Sequence, residues 1–342
     1  MNRTLKNVIF TLALIIGVGF VGYLAKGFVL QAPPSGTWES AGAMANARSK
    51  ARAALLSDGR VLVTGGENAG VVQASAELFN SDGTFSLAAP MTVARSKHAA
   101  VTLQDGRVLV LGGTGADGNA SATAELYDPA GNAWSPAGTM LQARSGLTAT
   151  LLQDGRVFIA GGDNAGTASA TAEIYDPVSG NFTPAGALSS PRTNHAAALL
   201  ADGRVLIVGG SDGTNVLVSS DVFDPAAGAV SPGPALAFAR QGHTATTLLD
   251  GTVLVAGGSN GQADLNSAEI FDPAQGVFAP APSAMTVPRT DHLAFLLPHN
   301  NSVLMVGGTS SGVAAQSAEL YLPWTGGFTP TGSPSASRSG AA

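Results

Sequence analysis

The sequence predicts an all-β protein, a β-propeller of six four-stranded blades. The first observation behind this is a recurring phrase: an Asp-Gly turn, an apolar run and two glycines, as in Asp202-Gly203 followed by Arg204-Val205-Leu206-Ile207-Val208-Gly209-Gly210. The glycine pairs fall at Gly65-Gly66, Gly112-Gly113, Gly161-Gly162, Gly209-Gly210, Gly257-Gly258 and Gly307-Gly308, in steps of 47, 49, 48, 48 and 50 residues. A fixed period of that size marks one supersecondary unit copied around an array. Second, the run before each glycine pair is apolar on consecutive residues, so both faces of that strand should be buried. Third, each unit is punctuated by turn signals that divide it into four short strands.

Taken in order, residues 1–30 read as a hydrophobic helix that anchors or targets the chain. Arg3 and Lys6 precede an apolar run from Val8 to Leu24, 17 residues and near the lower limit for a spanning helix. The basic end predicts an N-terminus in the cytoplasm and the rest of the chain outside it. An uncleaved membrane anchor and a cleaved signal peptide both remain open, because Tyr23-Leu24-Ala25 and Leu30-Gln31-Ala32-Pro33 are poor cleavage sites. With no cysteine after the run, lipoprotein anchoring is excluded. Residues 31–36 form a short linker in which Pro and Gly block regular structure.

The repeats fill residues 37–342. In the unit opened by Arg192, His195 to Leu200 reads as the first strand, and Asp202-Gly203 as a two-residue hairpin turn with positive φ at both central positions. Val205 to Val208 is the second strand, and Asp221-Val222-Phe223 the third, stopped by Asp224-Pro225. The fourth is centred on Val230, where other units carry Phe85, Trp134, Phe182, Phe278 or Phe328. Such sheets cannot bury their inner strands alone; packed face to face around an axis they can. Small residues such as Ala196, Ala197 and Ala198 suit a first strand crowded toward that axis. Two fragments remain. Trp38 reads as a fourth strand with no unit before it, and Arg338 to Ala342 as the start of a further first strand. These ends either meet to close the ring or belong to a seventh blade.

Composition bounds function. The chain has 342 residues, 45% hydrophobic, and no cysteine, which removes disulfides, Fe–S clusters and thiol catalysis. Residues 1–32 hold three bases and no acids, so the remainder carries 14 − 23 = −9 charges. A domain this acidic is a poor partner for nucleic acid, which needs clustered Lys and Arg.

The repeat resembles the kelch family. The resemblance rests on the apolar run before Gly-Gly, on Glu125-Leu126-Tyr127-Asp128, on the aromatic Trp134 and on Arg95 followed by His98. It covers residues 37–342 and recurs in every unit. Leu147 and Ala51 depart from it at the His position, and Leu322 at the Asp before Pro. The resemblance implies a propeller that binds partners. A few kelch propellers are enzymes, among them secreted copper-radical galactose oxidases and periplasmic sialic acid mutarotases. The Cys–Tyr cofactor of galactose oxidase cannot form in a chain without cysteine.

Most charged residues sit at positions set by the repeat. Arg48, Arg95, Arg144, Arg192, Arg240, Arg289 and Arg338 each open a unit, and Arg60, Arg107, Arg156 and Arg204 follow the hairpin turns. A catalytic group is needed once, whereas a structural one is needed in every blade. The opening arginines are therefore expected to bond loop carbonyls or the recurring acids Glu77, Glu125, Glu173, Asp221, Glu269 and Glu319. His98, His195, His243 and His292 share one repeat position and would be spread around a wide ring, which does not suit ligands that must all lie about 2 Å from one zinc ion. No metal or other cofactor is expected.

The residues that the repeat leaves free gather in the loops after Gly-Gly. Glu67, Asn68, Asp117, Asp163, Asn164, Asp212, Asn215, Asn260 and Asp264 are the candidate binding residues. The same face carries Lys50, Arg52 and Lys97. Binding groups collect on loops held by a rigid scaffold, so the expected function is an extracytoplasmic module, membrane-anchored or secreted, that recognises a protein or glycan through this face. Two alternatives stand beside it: a secreted carbohydrate-active enzyme of mutarotase type using an Arg and an acid at the channel mouth, and a structural surface protein.

Overall fold

The computed structural model describes residues 38–39 and 41–334; the expected N-terminal helix 1–30, the linker 31–36 and the fragment Arg338 to Ala342 lie outside the described residues. Among the described residues the protein is all-β. It contains six four-stranded antiparallel sheets, each with its strands side by side in chain order. No helix among the described residues is long and apolar enough to cross a membrane.

The fourth blade shows the unit. Its strands are Ala196–Leu199, Val205–Val208, Ser220–Asp224 and Ala229–Pro232. Val205 lies between Leu199 and Phe223, and Ile207 between Ala197 and Asp221. All four residues of the second strand are fully buried, as consecutive apolar residues require. Aromatic residues join the third and fourth strands, as with Tyr127 and Trp134, whose ring centroids are 5.1 Å apart.

The hairpin turn differs from the sequence expectation. The Leu200 N–H donates to the Arg204 carbonyl, the Gly203 N–H donates to Leu200, and of the turn residues only Gly203 has positive φ, at 89°. This is a three-residue loop ending in a bulge. The Asp202 carboxylate accepts from the Arg204 N–H at 3.0 Å and from its Nε at 2.8 Å. That local cap holds the aspartate in an ordinary backbone conformation and leaves the glycine alone to take the left-handed one.

Successive blades share cores. Leu206 and Val208 of the fourth blade pack with Val253, Val255 and Phe271 of the fifth, and comparable clusters join the first to second, second to third, third to fourth and fifth to sixth. The first strands of these neighbours touch, which places them nearest the axis.

The unit-opening arginines lock each blade internally. Arg192 donates through one terminal nitrogen to the carbonyls of Gly209 and Ser219, and through the other to Asp221 at 2.6 Å. The same pattern recurs at Arg48, Arg95, Arg144, Arg240 and Arg289, each beside its acid with both side chains almost wholly buried. The glycine pairs then fit blade to blade. A Cβ on Gly209 would stand 2.5 Å from the Arg240 carbonyl and 2.6 Å from the His243 ring. The adjoining Gly210 N–H donates to that Arg240 carbonyl at 2.8 Å.

Candidate functional site

The first strands bring six equivalent residues around the axis on the face bearing the post-Gly-Gly loops. Each lies two positions after a unit-opening arginine: Lys50, Lys97, Gly146, Asn194, Gly242 and Asp291. All six have φ between 51° and 61°. Neighbours are tied by backbone bonds, Lys97 N–H to the Lys50 carbonyl, Gly146 to Lys97, Gly242 to Asn194 and Asp291 to Gly242. A left-handed backbone is unfavourable for lysine and more readily taken by asparagine, aspartate and glycine, so these bonds hold the two strained lysines in place.

The six positions share a backbone but not a chemistry. Lys97 is exposed, and among the described residues its ammonium has no hydrogen-bond or ion-pair partner. Lys50 donates to Glu67 at 2.8 Å, and Ser96 donates to the other oxygen of Glu67 at 2.7 Å. The Lys50 bond is the main reason why the Glu67 carboxyl is held below its ordinary pKa, with Ser96 and Lys97 adding to the effect. Asp291 is exposed as a residue, yet partial burial of its carboxyl among the ring residues pushes its pKa up. Arg52 and Lys97 oppose that push, and Asp264 reinforces it. Arg52, at the start of the innermost strand of the first blade, donates through its guanidinium to the Ala51 carbonyl, at 3.0 Å, and to no other described residue. Burial lowers its pKa and the charge of Asp291 opposes this. Glycine at 242 makes room for the acid, since a Cβ there would stand 2.8 Å from the Asp291 carboxylate.

The loop residues predicted from sequence divide into groups. Glu67 belongs to the mouth through Lys50 and Ser96. Asp264 reaches the next blade and accepts from the Ser311 N–H at 2.7 Å. Asp117, Asp212 and Asn260 cap their own turns: Asp117 accepts from the Asn119 N–H, Asp212 from Thr214 and Asn215, and Asn260 from Gln262 and Ala263. Asn215 also donates its side-chain amide to Asp212. Asp117 and Asn119 line a shallow open depression with Thr92 and Ser121 on the second blade. Asp163 and Asn164 form a two-residue ladder with Thr167 and Ala168, and Glu67 and Asn68 form one with Val71 and Val72. The structure thus gathers Glu67 and Asp264 toward the axis, bonds Asp163 to Ser145 beside the ring residue Gly146, and leaves the rest on separate loop tips.

Asn194 and Asp291 are mouth residues that sequence reasoning missed. The signal was present: between an arginine that opens every unit and a histidine found in four of the six, one position holds Lys, Lys, Gly, Asn, Gly and Asp in turn. The four repeat histidines lie in separate blade interfaces. His98, His195 and His292 meet hydroxyls of Thr64, Thr148 and Thr244, and burial drives the pKa values of His195 and His292 to about 3. No group of three His, Asp or Glu residues able to hold a metal occurs among the described residues.

The sequence matches the family described as Kelch motif over residues 95–141, 146–189 and 242–285. A search of curated proteins returns no match. Among solved structures, a fungal alcohol oxidase of the AA5 family, in complex with copper, superposes with a TM-score of 0.63 at 23% identity, covering 76% of this chain. The chain spans only 58% of that oxidase. The structure of YjhT superposes with a TM-score of 0.66 at 14% identity, covering 83% of this chain and 97% of that one. At these identities both likenesses concern the fold.

Proposed function

Because the chain is a kelch-repeat β-propeller protein, we propose that it is an extracytoplasmic binding module whose ligand, a protein or a glycan, is held at the mouth of the axis and by the surrounding post-Gly-Gly loops. The observation that carries this is the ring of six equivalent left-handed residues. A purely structural ring has no need of Lys50, Lys97, Asn194 and Asp291 at positions where Gly146 and Gly242 serve without strain. Lys97 and Asp291, whose side chains have no hydrogen-bond partner among the described residues, suit a ligand that supplies the missing hydrogen bonds. The extracytoplasmic placement rests on Arg3, Lys6 and the apolar run after them.

The test is a glycan and peptide array probed with the propeller, followed by titration of the best ligand. Lys97→Ala and Asp291→Asn should each weaken binding about tenfold or more, as loss of a charge-assisted hydrogen bond does. Asp154→Ala, on the opposite face, should leave it unchanged. Binding lost at Asp154 and kept at Lys97 would place the ligand elsewhere. Active C-terminal reporter fusions only in the cytoplasm would reverse the topology.

The mutual electrostatic influence of Arg52 and Asp291 favours one second reading, a carbohydrate-active enzyme of mutarotase type. Asp291, with its raised pKa, would exchange the proton of an anomeric hydroxyl while Arg52 holds an anionic sugar. Magnetisation-transfer NMR of sugar anomers decides this: catalysed exchange lost in Asp291→Asn supports it, and rates equal to buffer exclude it.

A further inference from the structure

We propose that the outer edge of the first blade is a docking lane for one extended, uncharged segment of a partner protein, which adds a short strand beside Phe85–Ala88 through the backbone of Phe85 and Leu87.

Every blade ends in an outer strand, and such a strand presents backbone donors and acceptors that have no sheet partner. Five blades close this edge in the same way. Pro136, Pro184, Pro232, Pro280 and Pro330 stand opposite Glu125, Glu173, Asp221, Glu269 and Glu319, the acids of the third strands. The hydrogen-bond pattern shows which way these prolines face. The Gly233 N–H donates to the Ser220 carbonyl and the Ala281 N–H to the Ala268 carbonyl. One step along, Asp221 with Pro232 and Glu269 with Pro280 are therefore non-hydrogen-bonded pairs, and the backbone of each proline points away from the sheet. Proline there removes the donor that would otherwise pair with a further strand.

The first blade is the exception. Opposite Glu77 it carries Leu87, in register with the prolines of the other blades. The Asn80 N–H donates to the Thr84 carbonyl, so by the same alternation Phe85 and Leu87 turn their N–H and C=O groups outward. Among the described residues the Leu87 N–H has no partner. The Leu87 side chain is exposed as well, at 68%. An open donor and an exposed leucine, where five blades have proline, are the two features that an added strand would cover.

The surroundings select the occupant. Gly83, the outward-facing residue before Phe85, accepts from the Gly42 N–H at 2.8 Å. Ala89, the outward-facing residue after Leu87, donates its N–H to the Asn132 side chain at 2.9 Å and accepts from the Trp134 indole at 2.7 Å. The lane is thus closed at both ends and open at Phe85 and Leu87. A second copy would bring the same bracketing groups with its own edge, and these would meet before two such edges could pair. A single extended peptide fits between them. The segment at Gly42 does not continue along the lane, because the Ala45 and Asn46 N–H groups that follow it are held by Glu77. No residue from Gly83 to Met91 is charged. Phe85 and Leu87 lie on one face of the strand and Ser86 on the other. A neutral, proline-free segment that alternates aliphatic and hydroxyl side chains therefore meets like groups on both faces.

The test uses the full chain and a set of acetylated, amidated hexapeptides built only from Val, Ile, Leu, Thr and Ser. Leu87→Pro is the decisive variant, because five blades already carry proline at this place. At least one peptide should bind below about 1 mM and, at saturation, slow hydrogen exchange of the Leu87 amide at least about tenfold. Leu87→Pro should weaken that peptide at least about tenfold, since it removes the donor and fills the lane with its ring. Leu87→Ala keeps the donor and should weaken it less. N-methylation of the peptide residue opposite Leu87 should act as Leu87→Pro does, which covers failure of that variant to fold. No binding by any peptide, or equal binding by Leu87→Pro and its parent, would overturn the proposal. So would a Leu87 amide already protected in the free chain, because a second copy, if the chain sediments as a dimer, or the chain itself would then occupy the edge.

Discussion

Arg192 and Asp221 face each other at 2.6 Å inside the fourth blade, and neither side chain reaches solvent. The guanidinium also closes the Gly209 and Ser219 carbonyls, so one side chain ties the unit-opening loop to the second and third strands. Arg192→Ala should cost about 3–5 kcal/mol, because it leaves a buried carboxylate without its charge partner. Chemical denaturation measures this. Arg192→Met combined with Asp221→Leu should lose less than Arg192→Ala alone, and a double-mutant cycle gives the coupling. A melting temperature unchanged in Arg192→Ala would remove the arginine from the structural scaffold.

The buried histidines make the fold acid-sensitive. His195 and His292 have folded pKa values of about 3 against an ordinary 6.5, through burial first and neighbouring arginines second. A base whose pKa is depressed by folding binds its proton more readily when unfolded. Its stabilising contribution is therefore complete above about pH 6.5 and declines as pH falls toward 3, by up to about 1.4 kcal/mol per pH unit for each histidine. His195→Leu is the informative variant, because Leu147 already fills the equivalent position in the third blade, buried. The variant should fold, and its Tm should fall less steeply than that of the parent between pH 6.5 and 4.5.

The glycine pairs predict a contrast between two substitutions of the same kind. Gly210 has a φ of 94°, and a Cβ there would stand 2.6 Å from the Thr193 carbonyl. Gly166 has a φ of 83°, with nothing within 4 Å. Gly166→Ala should cost about 1–2 kcal/mol from backbone strain. Gly210→Ala adds a clash with the backbone of the unit-opening loop of the same blade and should cost at least about 3 kcal/mol. Equal losses in urea titrations would mean that this loop yields freely.

Arg156 and Asp154 form an ion pair at 2.6 Å on the hairpin face, with side chains 40% and 44% exposed. Water screens such a pair, so Arg156→Ala should cost about 1 kcal/mol or less. The difference from the parent should shrink further in high salt. A loss as large as that at Arg192 would contradict this.

Much of the architecture is local and repeats, and for that reason it was legible in the chain. The period of the glycine pairs, the apolar second strands and the turn residues depend on neighbours a few positions away. The second strand Val205–Val208 was readable residue by residue, and the structural role of the opening arginines followed from their recurrence in every unit. The hairpin was read one residue too short, because an Asp-Gly pair suits more than one turn, and the aspartate's bonds to the following arginine decide which.

The mouth of the axis was decided by tertiary structure. Lys97 and Asp291 are distant in sequence and become electrostatic neighbours only when the blades curve around one axis. Their positions look like ordinary variation in a linear repeat. The same holds for Trp38 and Gly332, near opposite ends of the described chain and joined by one hydrogen bond. A one-dimensional pattern specifies each blade, because a blade's strands are consecutive. Which side chains of different blades meet around the axis depends on the angle between sheets, and that is set by the packing of their cores.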